Sequence, residues 1–298
     1  MTASFRRYLR AKRTVDDRAL DRRLVGTFRD RLAERAEEGP EPLRVLEVGA
    51  GIGTMLARLF EWDVLPAGET RYTAVDIDAD TVAAAGPYLR EWAADRPVSV
   101  GGDDPIRIEG PDRTVELETV AAEAVAYAGE RPGEFDALVG AAFLDIVESD
   151  GLEALLDALA AGGSYYFPIT FDGATRFYPG HPADRTIERY YHEHMDRKPG
   201  GSSRAGGEVL DRLRRLDGVT VSAVAGSDWI VRPVEGAYPG EEAYMLGWIL
   251  DSVETAVGEV AAGTFDGLDG WLSERRKQLD AGELLYLTHQ LDILGTVE

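Results

Sequence analysis

The chain contains no cysteine. That single absence removes disulfides, thiolate nucleophiles and cysteine-bound metals. Lysine is almost missing as well: of 32 basic residues only Lys12, Lys198 and Lys277 are lysines. No stretch approaches the roughly 18–20 consecutive apolar residues of a membrane span. The opening "MTASFRRYLRAKR" is basic but has neither the apolar centre nor the small-residue cleavage site of a secretory signal. A cytoplasmic protein without a membrane partner is the expectation. Positive charge is scarce overall, with 54 acids giving a formal net charge of −22. A nucleic-acid face needs clustered Lys and Arg to neutralise phosphates, so no nucleic-acid partner is expected.

What is present is an ordinary globular composition, 44% hydrophobic over 298 residues, enough for one large domain with a cover. The acid-rich, lysine-poor balance is similar to that of proteins from salt-accumulating (halophilic, haloarchaeal) cells, where carboxylates keep a surface hydrated. Residues 1–35 depart from it, with eleven bases against five acids. Phe5, Leu9, Leu20, Leu24, Val25, Phe28 and Leu32 fall mostly at helical spacings there, which predicts a helical N-terminal segment over 1–40. Its arginines either pair with the acidic body or form a basic lid over an anionic ligand.

After the breaker "EEGPEP", strand-like and helical runs alternate: "LRVLEV", "TMLARLFEW", "TRYTAVDI", "DADTVAAAGPYLREWAAD", a hairpin-like "PIRIEGPDRTVELETVAA", "FDALVGAAFL", "GLEALLDALAAGG" and "SYYFPITF". This rhythm predicts a Rossmann-like, doubly wound α/β domain over 41–298, with a mostly parallel sheet of seven strands. Glycine- and proline-punctuated helical insertions are expected at about 172–206 and 236–283. "VTVSAVAGSDWIVRP" reads as one strand, and the closing "LLYLTHQLDILG" as another whose direction the pattern does not give.

The segment "VLEVGAGIGTML", Val45–Leu56, carries the chemistry. A phosphate-cradling nucleoside triphosphate loop needs Lys-Ser/Thr after its glycines, and none is present. A dinucleotide turn needs Gly-x-Gly-x-x-Gly, but from Gly49 the third place is Thr54. The glycines stand at 49, 51 and 53, two residues after Glu47. Asp76 ends the next strand, where such a fold presents a carboxylate to ribose hydroxyls.

This order of features resembles the class I S-adenosylmethionine-dependent methyltransferases. The resemblance implies S-adenosylmethionine as cofactor, with Glu47, Gly49, Ala50, Gly51 and Gly53 near its amino-acid end. It places Asp76 at the ribose, Ile77 on the adenine face, and Glu123 with Ala124 near the adenine amino group (Glu118 being the other acid in reach). Asp136 opens the fourth strand, as the family's form has it. The basic N-terminal segment would fold over the cofactor, with Tyr8 and Arg13 as candidates. An NAD-dependent oxidoreductase, a catalytically silent cofactor-binding module and an aminopropyl transferase remain open alternatives.

Methyl transfer from a sulfonium is a direct displacement, so alignment supplies most of the catalysis and a base is needed only if the acceptor must lose a proton. The loop "AAFLDI" lacks the Asn/Asp-Pro-Pro-Tyr/Phe signature of base-amine methylation, and without cysteine the covalent route to pyrimidine C5 is closed. A small-molecule acceptor is expected. Asp145 in that loop and His192 in "ERYYHEHMDR" are the candidate catalytic residues, the latter with Glu188 and Asp196 on one helical face. Phe171, Asp172, Arg176, Phe177 and Tyr178 are candidates for an acceptor pocket. No metal is expected, since hard-metal sites draw carboxylates from several strands. The acceptor atom and the oligomeric state are not legible in these residues.

Overall fold

Buried strands that alternate between two apolar faces force two layers of helices. In β1 (Leu43–Val48) Val45 packs into one hydrophobic cluster, while Leu46 and Val48 pack into a second across the sheet. In β6 (Phe135–Val139) Ala137 and Val139 oppose Leu138 in the same way. The computed structural model describes residues 3–39, 42–148, 151–263 and 265–298.

The N-terminal segment forms α1 (Ala3–Ala11), α2 (Arg13–Ala19) and α3 (Arg22–Glu38). Asp21 caps α3 by accepting from the backbone amides of Arg23 and Leu24. After β1 come α4 (Thr54–Glu61), β2 (Gly68–Asp76), α5 (Ala79–Ala83) and α6 (Ala85–Ala93). An antiparallel ornament, β3 (Ser99–Gly101) and β4 (Ile106–Glu109), folds onto β5 (Arg113–Ala121). Then follow α7 (Ala124–Gly129), β6, α8 (Gly151–Asp157), β7 (Leu159–Tyr178), α9 (Asp184–Asp196) and α10 (Ala205–Leu213). The chain ends with β8 (Val219–Gly226), β9 (Trp229–Val231), α11 (Glu242–Ala261), α12 (Leu268–Asp280) and β10 (Leu285–Val297).

The strand order is β3-β4-β5-β2-β1-β6-β7-β10-β8, with β9 paired to β10. The five central strands β5-β2-β1-β6-β7 are parallel, and β10 inserts antiparallel between β7 and β8. This is the Rossmann-like, doubly wound arrangement expected, but the sheet has ten strands rather than seven. The excess has local causes. The ornament adds β3 and β4 at one edge. "VTVSAVAGSDWIVRP" breaks at Ser227, whose amide donates to the Gln290 carbonyl, so it pairs with β10 as two strands. β10 pairs along β7 from Ser164 to Tyr178, which carries that strand past Asp172.

The chain runs from β1 outwards through β2 and β5, then returns to β6 and β7 on the other side. The switch point therefore lies between β1 and β6, and its crevice opens at their carboxyl ends, where such sheets bind ligands. Among the described residues no helix is long and apolar enough to cross a membrane.

Candidate functional site

The turn after β1 is shaped by three alternate glycines in the left-handed region: Gly49 at φ 64°, Gly51 at 56° and Gly53 at 83°. Only glycine adopts these angles without strain. A Cβ on Gly49 would lie 2.6 Å from Phe143 Cδ2, and one on Gly51 would lie 3.1 Å from Leu9 Cδ1 in α1. The turn is thus closed against the loop after β6 on one side and the N-terminal helices on the other. The Ala50 amide donates to the Val75 carbonyl, and the Gly51 amide donates to Asp76 Oδ2 at 2.9 Å. Asp76, at the end of β2, therefore braces the glycine turn while it stands at the crevice.

A cavity of about 790 Å³ fills this crevice. Glu47, Gly49, Ala50, Gly51 and Thr54 line it from the β1 side, and Asp76 and Ile77 from the end of β2. Glu123, Ala124 and Val125 line it at the β5–α7 junction, and Ala141, Ala142, Phe143 and Ile146 from the loop after β6. Of the cofactor residues named from sequence, all but Gly53 reach the wall; Gly53 sits behind it at the N-cap of α4. Ile77 is 71% exposed, an apolar face turned to the opening. Glu123 is at the wall, but both its carboxylate oxygens accept α7 amides, from Val125 at 3.0 Å and Ala126 at 2.6 Å. Glu118 lies elsewhere, beside Arg71 and Thr73. Asp136 is engaged with Arg44 and Arg35.

Glu47 is buried and accepts a 2.7 Å hydrogen bond from the Tyr72 hydroxyl. Burial pushes its carboxyl up to about 8, against the opposing pull of the Tyr72 bond and the Arg58 charge. Its carboxyl therefore holds its proton to a higher pH than an ordinary glutamate does.

Sequence reasoning missed part of the wall. Phe5, Leu9, Lys12 and Asp16 from the N-terminal helices, with Met55 and Arg58 from α4, close the cavity beyond Glu47. Tyr8 and Arg13 do not line it. Tyr8 stacks on Trp248 with ring centroids 4.1 Å apart, and Arg13 pairs with Glu61 and Tyr88. The arginines around Lys12 pair with the acidic body, Arg7 with Glu241, Arg10 with Glu91 and Arg18 with Glu242.

Neither catalytic candidate is itself on the cavity wall. Asp145 lies in the short helical turn Leu144–Ile146, between residues that line the cavity. Its Oδ1 is buried without a hydrogen-bond partner among the described residues, and burial raises its carboxyl pKa, opposed by a bond from its own backbone amide and then by the Lys12 charge. His192 is outside the cavity wall: its Nε2 lies 2.9 Å from Thr175 Oγ1 and its ring meets Phe171 edge-on. On the same face Glu188 accepts from the Thr175 amide and Asp196 from the Ser203 amide, so the trio fastens α9 to β7 and to the turn before α10. Burial lowers the His192 pKa, against the opposing pull of the Glu188 and Asp196 charges. Phe171 and Phe177 are buried, Asp172 accepts from the Gly207 amide, and Tyr178 is exposed; none of the five proposed pocket residues reaches the cavity. No group of metal-ligating side chains occurs among the described residues.

The chain is similar to several solved structures. A S-adenosylmethionine-dependent methyltransferase from Thiobacillus denitrificans, in complex with S-adenosyl-L-homocysteine, aligns over 94% of this chain and 93% of its own, with a TM-score of 0.45 and 14% identity. One from Geobacter sulfurreducens, also with S-adenosyl-L-homocysteine, aligns over 94% and 92%, with a TM-score of 0.42 and 15% identity. One from Archaeoglobus fulgidus aligns over 91% and 94%, with a TM-score of 0.38 and 14% identity. No family model and no curated protein matches the sequence.

Proposed function

We propose that this protein binds S-adenosylmethionine in the crevice between β1 and β6 and passes its methyl group to a small acceptor. The observation that carries the reading is the convergence on one cavity of the glycine turn, the buried Glu47 and Asp76. The residues present fit the cofactor. Asp76 faces the crevice where a ribose sits in this fold, and the exposed Ile77 offers an apolar surface for adenine. Glu47 supplies an acid for an α-ammonium. A volume of about 790 Å³ lies in the upper part of the range of about 300–1,000 Å³ for small-molecule sites, room for a cofactor and a modest acceptor.

The bound sulfonium supplies an electrophilic methyl. The chain's own part is alignment: the rigid turn and the loop after β6 fix one partner, and the N-terminal helices cover the cavity and exclude water. For an acceptor that must lose a proton, Asp145 is better placed than His192. Its neighbours line the cavity, whereas His192 is taken up by Thr175. Thr54 in place of a third glycine, together with the acids at the turn, weighs against a dinucleotide and its pyrophosphate.

The test is calorimetric titration in high salt with S-adenosylmethionine, S-adenosylhomocysteine and NAD. Dissociation constants on the order of micromolar for the first two and no binding of the third support the reading. Binding of NAD alone replaces it with an oxidoreductase.

A further inference from the structure

Trp229 Nε1, Gln290 Oε1 and Asp145 Oδ1 are buried polar atoms without a hydrogen-bond partner among the described residues. Trp229 and Gln290 are only 7% and 4% exposed. They share one face of the sheet. Trp229 of β9 stands opposite Thr288 of β10, and Gln290, two residues further on, stands opposite Phe171 of β7. Two covers meet over this face. One is α9, whose His192 reaches Thr175 and Phe171; the other is the N-terminal segment, whose Lys12 Nζ lies 5.6 Å from the centre of the Trp229 ring. Asp145 belongs to the same seam. Burial raises the pKa of the Tyr8 hydroxyl in α1, with further contributions from Asp16, Tyr286, Tyr191 and Asp145 in that order; burial and then Asp145 do the same for Tyr191 in α9. Lys12 also lines the cofactor cavity, so the seam and the cavity adjoin at its side chain. Native proteins rarely leave buried polar atoms unpaired, and one donor and two acceptors orphaned along one seam point to a ligand carrying their complements.

We propose that the seam between Trp229, Gln290 and Asp145 is the acceptor subsite, and that it takes an uncharged phenol bearing a second oxygen. The proposal rests on the cofactor reading above and names the class of acceptor for it. Trp229 Nε1 donates to a ligand oxygen, while Gln290 Oε1 and Asp145 Oδ1 accept from ligand hydroxyls. The rings of Trp229, Tyr191, Tyr286 and Phe171 border the seam and offer flat apolar contact. Hydrogen-bond complementarity separates this class from charged ones. An ammonium satisfies Gln290 and Asp145 but has no lone pair for Trp229. A carboxylate satisfies Trp229 but sets acceptor against acceptor at Gln290 and Asp145. The neutral ligand also leaves the Lys12–Asp16 ion pair, 2.7 Å long, undisturbed. In the transfer the phenol oxygen forms a bond to the methyl carbon as the carbon–sulfur bond breaks, its electron pair staying on sulfur. The hydroxyl proton passes to the Asp145 carboxylate.

The experiment is calorimetric titration in high salt of the protein preloaded with S-adenosylhomocysteine. The probe is para-hydroxyacetophenone, compared with tyramine as its cationic counterpart and para-hydroxybenzoate as its anionic one. The neutral phenol is expected to bind with a dissociation constant of about 1 mM or below, and about tenfold or more tighter than either charged compound. Trp229→Phe and Gln290→Leu are each expected to weaken it by about 5–10-fold, the loss of one hydrogen bond. Both variants should keep S-adenosylhomocysteine affinity within about twofold, which also shows that they are folded. No binding of para-hydroxyacetophenone, a preference for a charged compound, or equal affinity in both variants overturns the subsite. Each of those results leaves the cofactor reading standing as long as S-adenosylhomocysteine binds. Failure of S-adenosylhomocysteine to bind overturns both.

Discussion

At the scale of single residues, Glu47 couples ligand binding to pH. Its native pKa of about 8 is above the ordinary value of 4.5, because the carboxylate is buried. Between those two values the folded protein holds more protons than the unfolded one, so stability falls as pH rises through the window. The stabilisation of the protonated form is fully present below pH 4.5 and gone above about 8. Glu47→Gln keeps the shape and the contact with Tyr72 while removing the titration. Denaturant unfolding at pH 5 and pH 8.5 should show the wild-type protein losing roughly 3–5 kcal/mol more than the variant across the range, as an upper bound. Binding should move the other way. A ligand ammonium requires the carboxylate, so affinity rises with pH up to about 8, and a proton is released below it. Titration in two buffers of different ionisation enthalpy measures that proton. Glu47→Gln should bind more weakly and release none, with circular dichroism unchanged; unchanged affinity removes Glu47 from the site.

At the scale of elements, the site depends on how the N-terminal helices are fastened to the body. One buried fastening point is Glu242 in the first turn of α11, among several ties that include Arg7 with Glu241 and Arg13 with Glu61. It is fully buried and accepts from Thr14 Oγ1 at 2.8 Å and from both terminal nitrogens of Arg18 at 2.6 and 2.9 Å. Glu242→Gln keeps the side-chain volume but offers one acceptor oxygen to three donors. A loss of about 1–3 kcal/mol is expected by chemical denaturation, together with faster tryptic cleavage within residues 6–18 and weaker cofactor binding. Unchanged proteolysis would mean that packing and the other ties seat the helices. The same elements mark what was legible beforehand. β1 and β6 announce themselves as short, mostly apolar runs buried on both faces, β2 only in its second half, and the residues that follow them in sequence reach the cavity. Lys12, Asp16 and Arg58 did not announce themselves, because their meeting depends on α2 lying over α4, a tertiary fact with no local pattern. The helical face of Glu188, His192 and Asp196 was read correctly as a face, but periodicity could not say that it turns to Thr175 and Ser203 and away from the cavity. β7 and β10 extend each other by pairing, and neither run of residues states its partner.

At the scale of the whole molecule the dominant quantity is the net charge of −22. Many of the visible ion pairs are solvent-exposed, such as Arg29 with Asp30 and Arg276 with Glu254. Such pairs contribute roughly 0–1 kcal/mol each, and salt weakens them. The uncompensated carboxylates repel one another over longer distances, and salt weakens that repulsion more. The screening length falls from about 10 Å at 0.1 M to about 3 Å at 1 M, below the usual spacing of surface charges. The balance predicts net stabilisation by salt. The melting temperature should rise by about 3–10 °C between 0.1 and 2 M potassium chloride, an increment of a few kcal/mol for a chain of this size. Chloride is the right anion for the test, since sulfate would also strengthen apolar burial and confuse the cause. A flat or falling melting temperature would show that the arginines of the N-terminal helices and the body already neutralise the carboxylates where it matters. A rise would show that the acid excess is a standing cost of the fold, relieved in concentrated salt.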